Sequence, residues 1–367
     1  MKLSGYLRWI SFYFSRTPFY AVFYVTSRCN ARCGHCFNWK SADDAGARRE
    51  LTLEEIEKIA KNWGEMLIIN LAGGEAYLRD DLVEIVGLFK KYTGVEIVAI
   101  PSNGFLTDKI TETAYRLLKN FPNLHFRFTF SIDGIGEKHD KIRGVPGGFE
   151  RVVKTVAAVK ELRKEHGNFS IFTNSCFMQS NQDDFLDILK FIKDNLAVDA
   201  LNVTRVRGNV RSEETQKNLH NEKYREAVDY ISRANFNKSA CHPLPAFIRA
   251  VSTLAQEKVL ENLETGRRNF ECYAIKKMTV IDDLGEVKVC EMLSVSLGNL
   301  RDADYDIKKI ATSVFADAEY GKIRRHECNC VWECAVRTGI ICNLKEYPAV
   351  LMRICGKNKS RPDPESS

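Results

Sequence analysis

Short apolar runs alternate with longer amphipathic segments between residues 19 and 235, and this alternation is the strongest constraint on the fold. The short runs are rich in β-branched and aromatic residues, while the longer segments have helical spacing, as in repeated strand–helix units. Such units form parallel strands joined by right-handed crossovers, so the region predicts an α/β fold with either an open sheet or a partial barrel. The predicted strands are Tyr20–Thr26, Met66–Leu71, Glu96–Ile100, Phe126–Ser131, Ser170–Phe177 and Ala200–Arg205.

Six predicted helices follow these strands. The first begins after Thr52, whose hydroxyl can accept a hydrogen bond from the first helical turn, and acidic residues follow it at the positive end of the helix dipole. Six strands are too few to close the usual eight-stranded barrel. The predicted helices are Leu53–Trp63, Asp81–Tyr92, Lys109–Leu118, Phe149–Lys164, Asp183–Asn195 and Lys223–Ala234.

Distinctive residues follow five of the six predicted strands. In parallel α/β folds the carboxyl ends of the strands meet at one edge, where binding and catalysis take place. The sequence therefore predicts a functional site built from these five segments. They are the cysteine-rich loop 29–36, Ala72–Glu75, Pro101–Gly104, Ser131–Gly134 and Arg205–Gly208.

Three cysteines, Cys29, Cys33 and Cys36, lie within eight residues directly after the first strand. A four-iron cluster takes four thiolates, so three closely spaced cysteines leave one iron free to bind another ligand. The spacing therefore indicates an iron–sulfur cluster with chemistry at an open iron. A zinc knuckle is the alternative, although its ligands usually come as two C-x2-C pairs or as a Cys/His set.

The composition restricts the class of protein and its compartment. With 367 residues and 44% hydrophobic residues, the chain can form one large domain with an appendage. The net charge of +6 is spread along the chain, and no dense basic run with interleaved aromatic residues indicates a nucleic-acid partner. Twelve cysteines without a visible export signal or membrane-spanning run predict a cytoplasmic protein whose thiols are kept mostly for metal.

Residues 1–17 predict an amphipathic helix, because Leu3, Tyr6, Leu7 and Ile10 recur at helical spacing. We expect this helix to pack across the open end of a barrel. A helix lying at a membrane interface, which would make the protein peripherally membrane-associated, is the alternative.

The composition changes after residue 236. Residues 237–270 predict a helical linker, and residues 271–356 form a second, cysteine-rich α+β module. Met278–Asp282 and Glu286–Cys290 in this module predict a β-hairpin, with helical segments after it. The polar tail of residues 357–367 is predicted to be disordered.

The C-x3-C-x2-C spacing of the first three cysteines resembles the signature of the radical S-adenosylmethionine (SAM) superfamily. The resemblance implies a partial (β/α)6 TIM-like barrel over residues 18–236, a [4Fe–4S] cluster on Cys29, Cys33 and Cys36, and SAM bound at the open iron. It also implies that a Gly-Gly-Glu motif holds the SAM amino group and that His35 packs on the adenine. The residues that the resemblance assigns to SAM binding are His35, Gly73, Gly74, Glu75, Asn103, Ser131 and Asp133.

The second module resembles the SPASM and twitch domains, which bind auxiliary iron–sulfur clusters. Cys272, Gly285 and Cys290 match the C-x(9–15)-G-x4-C opening of those domains. Only the final C-x3-C of the full SPASM motif is kept, at Cys330 and Cys334. The resemblance implies an auxiliary [4Fe–4S] cluster on Cys272, Cys290, Cys334 and one of Cys328 or Cys330.

Several further residues carry open alternatives. Cys342 and Cys355 could bind a second auxiliary cluster or be buried helical cysteines. Arg205 and Arg207 lie at the mouth of the sixth strand, where a guanidinium could bind an anionic substrate or the SAM carboxylate. Cys176, in the fifth strand, is a candidate hydrogen-atom donor, with simple packing as the alternative.

The resemblance implies an enzyme that cleaves SAM reductively to a 5′-deoxyadenosyl radical and abstracts hydrogen from a substrate. The substrate would be a peptide, a cofactor precursor or another small metabolite, and the auxiliary cluster would relay an electron or bind substrate. A low-potential electron donor such as flavodoxin or ferredoxin is the expected partner. Modification of a membrane lipid is one alternative, and a non-catalytic iron–sulfur or zinc-binding protein is another of a different class.

Overall fold

The computed structural model describes residues 12, 15, 17–47, 49–236, 243–293, 295–326 and 328–354. Nine strands in this part of the chain form one sheet. They are β1 (Tyr20–Thr26), β2 (Ile68–Gly73), β3 (Ile97–Ser102), β4 (His125–Ser131), β5 (Phe169–Phe177), β6 (Ala200–Arg205), β7 (Met278–Ile281), β8 (Glu286–Lys288) and β9 (Ser296–Asn299).

The strand order is β6-β5-β4-β3-β2-β1-β7-β8-β9. Strands β1 to β6 pair in parallel with their sequence neighbours, which confirms the predicted α/β fold with a six-stranded parallel sheet. Strand β7 pairs in parallel with β1, and β8 and β9 continue as an antiparallel extension. The predicted hairpin of the second module therefore extends the sheet of the first, a pairing that the sequence did not indicate.

The helices pack around this sheet. The described α-helices are α1 (Trp39–Asp43), α2 (Leu53–Trp63), α3 (Leu82–Thr93), α4 (Thr107–Asn120), α5 (Glu137–Arg143), α6 (Gly148–Glu161), α7 (Phe185–Leu196), α8 (Asn221–Phe236), α9 (Pro243–Thr265), α10 (Ile307–Ala311), α11 (Val314–Arg324), α12 (Glu333–Cys342) and α13 (Tyr347–Ile354).

Helix α2 begins where the sequence predicted, and its first turn explains why. The Thr52 hydroxyl accepts a hydrogen bond from the Glu55 N–H at 3.2 Å, and the Glu55 carboxylate accepts one from the Thr52 N–H at 2.9 Å. This reciprocal capping box satisfies two N–H groups that the helix itself leaves without partners. The apolar face that follows, with Ile56, Ile59 and Trp63, is fully buried.

Strand β2 starts two residues later than predicted and ends two residues later. The Met66 N–H donates to the Thr93 carbonyl at the end of α3, at 3.1 Å, so Met66 belongs to the turn before the strand. At the other end Gly73 pairs with Thr26 of β1, so the strand runs into the glycine motif. The apolar run thus predicted the strand but not its hydrogen-bonding register.

The two faces of β4 differ in chemistry. Phe126, Phe128 and Phe130 are fully buried, whereas the alternate residues Arg127 and Thr129 line a cavity inside the curved sheet. Side chains of successive strand residues point to opposite faces, so the parallel sheet has a polar inner face and an apolar outer face beneath the helices. The inner face of the sheet is therefore available for binding.

The predicted amino-terminal helix lies almost entirely outside the described residues. Phe12 is described and buried, with its ring centroid 5.4 Å from that of Phe19. Leu67 and Cys342 belong to the same apolar cluster, and Cys342 is 3% exposed. Packing therefore accounts for Cys342, while Cys355 and the tail 357–367 lie outside the described residues. Among the described helices, none combines the length and apolar character needed to cross a membrane.

Arg301 joins the second module to α2. Its guanidinium donates to both carboxylate oxygens of Glu55, at 2.7 and 2.9 Å, and to the Leu284 carbonyl at 2.8 Å. The Tyr305 hydroxyl donates to the same carboxylate at 3.1 Å. The hydrogen bonds from Arg301 are the main reason that the pKa of Glu55 is lowered to about 2, despite the opposing effect of burial.

The Arg301–Glu55 contact should make stability depend on pH. Because the folded-state pKa of Glu55 is lowered, its contribution is fully present above the unfolded pKa of about 4.3 and is lost as the pH falls toward 2. Glu55→Gln should lower the free energy of unfolding by about 2 kcal/mol at pH 6 and by clearly less at pH 3.5, measured by urea unfolding.

Glu84→Gln is the matched control, because Glu84 forms an ion pair with Arg116 in which both side chains are nearly half exposed. Its effect should stay below about 1 kcal/mol at both pH values. A deficit of Glu55→Gln that is equal at pH 6 and pH 3.5 would contradict the assigned role of the ion pair.

Candidate functional site

A cavity of about 360 Å³ lies inside the curved sheet, between the carboxyl ends of the strands and helix α12. Its size is that of small-molecule binding sites in proteins. The cavity brings together most of the residues predicted for the site. Its lining includes Cys29, Cys33, His35, Cys36, Gly73, Gly74, Asn103, Ser131 and Arg207.

Hydrogen bonds from two distant segments fix the cysteine loop. The Arg32 N–H donates to the Arg143 carbonyl at the end of α5, at 3.0 Å. The N–H groups of Arg211 and Ser212, after β6, donate to the carbonyls of Cys36 and Gly34 at 3.1 and 2.8 Å. The three thiols are therefore held by contacts to both sides of the barrel mouth.

Gly73 and Gly74 allow the end of β2 to approach the cysteine loop closely. A Cβ atom on Gly73 would lie 2.1 Å from the Thr26 carbonyl oxygen, and one on Gly74 would lie 2.1 Å from the Arg28 carbonyl oxygen. Gly73 also has a φ of 122°, which side chains disfavour. The two glycines therefore have a packing role that the sequence interpretation, based on ligand approach alone, did not include.

Glu75 connects the ends of β2 and β3. It is 1% exposed, and its carboxylate accepts hydrogen bonds from the Ser102 hydroxyl at 2.9 Å and the Asn103 N–H at 2.8 Å. Burial raises the pKa of this carboxyl to about 7, although these hydrogen bonds oppose the shift. The Asn103 amide in turn donates to the Asn30 side chain at 2.7 Å, which links β3 to the cysteine loop.

Asp133 is fully buried beside the loop. Its carboxylate lies 2.6 Å from the Arg143 guanidinium and 3.6 Å from His35 Nε2, and it accepts the Cys176 N–H at 2.8 Å. Burial alone would raise the pKa of Asp133, but Arg143, His35, His139 and the hydrogen bond from the Cys176 N–H together outweigh it, so the pKa is lowered. These contacts position Arg143, whose Nη1 lies 3.7 Å from the Cys33 sulfur.

His35 faces the cavity as a neutral ring. Burial lowers the pKa of His35 to about 4, and the nearby Arg143 adds to this effect although Asp133 opposes it. Its Nδ1 atom is buried without a hydrogen-bond partner. A planar, neutral side chain at this position fits the predicted stacking role on a bound aromatic ring.

The chemistry of the three thiols fits a metal–sulfur centre. Burial raises the pKa of Cys29 to about 12 and that of Cys36 to about 11, and the neighbouring thiols add to both shifts. A bound cation reverses this effect, because a coordinating thiol loses its proton.

Within the described residues, no three His, Cys, Asp or Glu side chains are placed to hold a single metal ion. The thiolates of a four-iron cluster bind separate irons, so they lie farther apart than the ligands of one zinc ion.

Four cysteines of the second module form another group. Burial, together with the proximity of Cys272 and Cys328, raises the pKa of Cys290 to about 12. The pKa of Cys330 is raised by burial and by the nearby Cys272, Cys290 and Cys328. The Arg268 guanidinium lies 3.3 Å from the Cys328 sulfur. Four cysteines of the second module therefore lie close to one another: Cys272, Cys290, Cys328 and Cys330.

Cys334 is placed differently from these four cysteines. It lines the central cavity, where it hydrogen-bonds Tyr20 and has Arg337 and Glu291 as its charged neighbours. Cys328 and Cys330 both lie near Cys272 and Cys290. Cys334 is in the first turn of α12 and lines the central cavity, so the ligand set implied by the C-x3-C spacing stays a prediction.

The two arginines at the carboxyl end of β6 already have partners within the protein, which does not support the anion-binding prediction. Arg205 donates to the Asn221 side chain. Arg207 forms ion pairs with Glu333 at 2.8 Å and Glu291 at 3.3 Å. Cys176, the candidate hydrogen donor, is 9% exposed in an apolar cluster with Met178, Val206 and Val210, which favours the packing alternative.

Two of the cavity residues that were not predicted from the sequence are arginines. Arg127 of β4 and Arg337 of α12 both line the cavity. The signal for Arg127 was present, because an arginine between Phe126 and Phe128 in a strand of a parallel sheet indicates a polar inner face. Arg337 had no comparable signal, since its position depends on how the second module docks on the barrel.

Replacing either glycine should disrupt the site. Gly73→Ala and Gly74→Ala each place a Cβ atom against a backbone carbonyl that cannot move aside freely, so we expect each to lower stability by roughly 2 kcal/mol or more. Thermal unfolding followed by circular dichroism measures the effect. Gly46→Ala is the control, because no atom lies within 4 Å of the added Cβ and its stability should be unchanged. Equal melting temperatures for all three variants would contradict the packing role.

Comparisons with known proteins agree with this geometry. Residues 23–192 match the model of the radical SAM superfamily. The chain is 32% identical over 180 residues to GTP 3′,8-cyclase of Aquifex aeolicus, covering 47% of this chain and 52% of that protein. It is 26% identical to the subtilosin biosynthesis protein AlbA of Bacillus subtilis, covering 79% of this chain and 59% of AlbA. The chain thus spans little more than half the length of these relatives.

Solved structures show the same fold. SuiB of Streptococcus suis bound to S-adenosylmethionine superposes with a TM-score of 0.59 at 16% identity, covering 83% of this chain and 68% of SuiB. The protein anSMEcpe with bound AdoMet superposes with a TM-score of 0.60 at 18% identity, covering 93% of this chain and 94% of that one. Residues 23–192 are thus similar in sequence to the radical SAM superfamily, and the solved structures share the fold of this chain.

Proposed function

We propose that the protein is an enzyme that cleaves SAM reductively and abstracts hydrogen from a substrate held inside the barrel. The observation that carries the proposal is the single cavity lined by Cys29, Cys33 and Cys36 together with Gly73, Gly74 and Ser131. When bound, a [4Fe–4S] cluster with one open iron supplies the electron that splits SAM into methionine and a 5′-deoxyadenosyl radical.

The chain's own residues would hold and shield these reactants. The three thiolates would bind three irons, and Arg143 would stabilise their negative charge, because its guanidinium lies beside Cys33. The backbone at Gly73 and Gly74 would approach the SAM amino group without side-chain interference. SAM and substrate, once they fill the cavity, would displace water from the reacting atoms.

The second cysteine group would hold an auxiliary [4Fe–4S] cluster on Cys272, Cys290, Cys328 and Cys330. Cys272, Cys290 and Cys330 each have Cys328 among their electrostatic neighbours, and the Arg268 guanidinium lies 3.3 Å from the Cys328 sulfur. Such a cluster would relay an electron or bind substrate. A low-potential donor such as flavodoxin or ferredoxin would supply the first electron.

The named relatives and the size of the cavity restrict the classes of substrate that this protein could bind. SuiB has been crystallised bound to the precursor peptide SuiA, and AdoMet-dependent heme synthase of Oleidesulfovibrio alaskensis is 26% identical over 77% of this chain and 71% of its own length. A cavity of about 360 Å³ admits a small metabolite, part of a cofactor precursor, or one side chain of a peptide. We infer a substrate from one of these classes.

SAM cleavage should require the first cysteine group. Anaerobically reconstituted protein treated with dithionite should release 5′-deoxyadenosine, and Cys33→Ala should reduce the rate by at least 100-fold, because one iron loses its thiolate. Chromatography of the quenched reaction measures the product. Cys342→Ala is the control, since Cys342 is packed among Phe12, Phe19 and Leu67, and its rate should stay within about threefold of the wild type. Absence of product from the wild-type protein would refute the proposal.

Iron content should distinguish the two possible sets of auxiliary ligands, one that contains both Cys328 and Cys330 and one that contains Cys334. Two four-iron clusters predict about eight irons per chain. Cys330→Ala should reduce this to about four, while Cys334→Ala should keep about eight, because Cys334 faces the central cavity. Iron analysis of reconstituted protein after gel filtration measures both. The opposite result, with iron lost only from Cys334→Ala, would restore the ligand set expected from the motif.

A further inference from the structure

Five arginines and two glutamates line the central cavity, so positively charged side chains outnumber negatively charged ones there. Three of the arginines have carboxylate partners. Arg143 pairs with Asp133 at 2.6 Å, Arg211 with Asp43 at 2.8 Å, and Arg207 with both cavity glutamates. These pairs account for every carboxylate that lines the cavity.

The other two arginines, Arg127 and Arg337, have no carboxylate within 4 Å in the described part of the chain. Arg337 donates one hydrogen bond, to the Asn202 side chain at 3.2 Å, and the Arg127 guanidinium lies 4.8 Å from the ring centroid of Phe172. The Nε atoms of both arginines are buried without a hydrogen-bond partner. Guanidinium N–H groups thus remain available at the cavity.

The two guanidinium groups lie close enough to repel each other. Burial lowers the pKa of Arg127 to about 10, the charge of Arg337 adds to this effect, and Tyr20 and Cys334 oppose it. A buried charge without a partner is costly, and two such charges of the same sign are more so. An arrangement of this kind is expected where a ligand supplies the missing negative charge.

The position of this pair differs from that expected for SAM. Ser131 is at the carboxyl end of β4, on the side of the cysteine loop, and Arg127 lies four residues earlier in the same strand. At about 3.3 Å per residue, the Arg127 backbone is roughly 13 Å from that of Ser131, toward the amino-terminal end of the barrel. Arg337 comes from α12, which closes the cavity from the second module.

We propose that Arg127 and Arg337 bind an oxyanion group of the substrate, a carboxylate or a phosphate, at the end of the cavity away from the cysteine loop. The proposal rests on the proposed function for the identity of the ligand as substrate. Two guanidinium forks can bind the oxygens of such a group with several parallel hydrogen bonds. Asn70 lines the same cavity with a buried, unpaired Oδ1 atom, which can accept a hydrogen bond from a donor group of the substrate.

Anion binding to the SAM-loaded holoenzyme tests this site without knowledge of the substrate. The probes are inorganic phosphate and acetate, titrated separately by calorimetry in a buffer whose other anion is a bulky sulfonate. We expect the wild type to bind at least one of them, and Arg127→Gln and Arg337→Gln to bind it at least tenfold more weakly. Preference for phosphate or for acetate distinguishes the two oxyanions. Arg116→Gln, which changes an exposed helix residue, should bind as the wild type does.

Thermal unfolding separates a binding role from a structural one. Without added anion, Arg127→Gln and Arg337→Gln should melt at or above the wild-type temperature, because each removes an uncompensated buried charge. Added anion should raise the melting temperature of the wild type but not of these variants. Arg127→Lys and Arg337→Lys keep the positive charge and should retain part of the anion affinity. Retained affinity in the lysine variants would show that the glutamine variants lose affinity because the charge is lost and not because they misfold.

Two results would overturn the proposal. One is a wild-type protein that binds neither phosphate nor acetate, and the other is anion binding that the glutamine variants leave unchanged. Release of 5′-deoxyadenosine without substrate is measured in the same wild-type preparation and in Arg116→Gln, whose rate should stay within about threefold of the wild type. Loss of that activity in the wild type refutes the proposed function, whereas normal SAM cleavage with no effect of the arginines on anion binding refutes this inference alone.

Discussion

Arg143 makes three contacts in the candidate site, two through its guanidinium and one through its main-chain carbonyl, and the geometry of the cysteine loop depends on them. One of its nitrogens lies 2.6 Å from Asp133, another lies 3.7 Å from the Cys33 sulfur, and the Arg143 carbonyl accepts the Arg32 N–H. Asp133 is fully buried, so removing either partner would leave a charge without compensation. The contacts of Arg143 with Cys33 and Arg32 thus hold the segment after β4 against the loop after β1, while the ion pair with Asp133 positions the guanidinium.

The parallel sheet determines which other residues meet this centre. Because six parallel strands end at the same edge, the cysteine loop, the two glycines and Ser131 converge although they are far apart in sequence. Pairing of β7 with β1 then carries the second module onto the same sheet. Helix α12 can therefore contribute Glu333, Cys334 and Arg337 to the cavity. The auxiliary cysteines belong to the same module, so the two proposed metal centres are connected through one sheet.

The sequence predicted the features that depend on local pattern. The six strands, the start of α2 after Thr52 and the convergence of the motifs follow from apolar periodicity, from helix-start residues and from the rule that parallel strands end together. Features that depend on how the second module packs on the barrel could not be predicted. Cys334 was assigned to the auxiliary group by its spacing, and the sequence did not indicate that it would line the central cavity.

The arginines show the same limit of prediction from the sequence. Arg207 lies at the mouth of β6 as predicted, but its partners Glu291 and Glu333 come from the second module and neutralise it. Arg127 could have been recognised from its place between buried phenylalanines, whereas its separation from every carboxylate is a property of the assembled cavity. Position in a strand is thus readable from the sequence, while the charge balance of a site built from both modules is not.

The central claim is that the three thiols of the loop hold a cluster with one open iron that SAM occupies. Low-temperature electron paramagnetic resonance of the reduced, anaerobically reconstituted protein tests it directly. The account predicts that adding SAM shifts the g values of the reduced cluster, and that Cys33→Ala shows no such shift. A wild-type spectrum that is identical with and without SAM would contradict it.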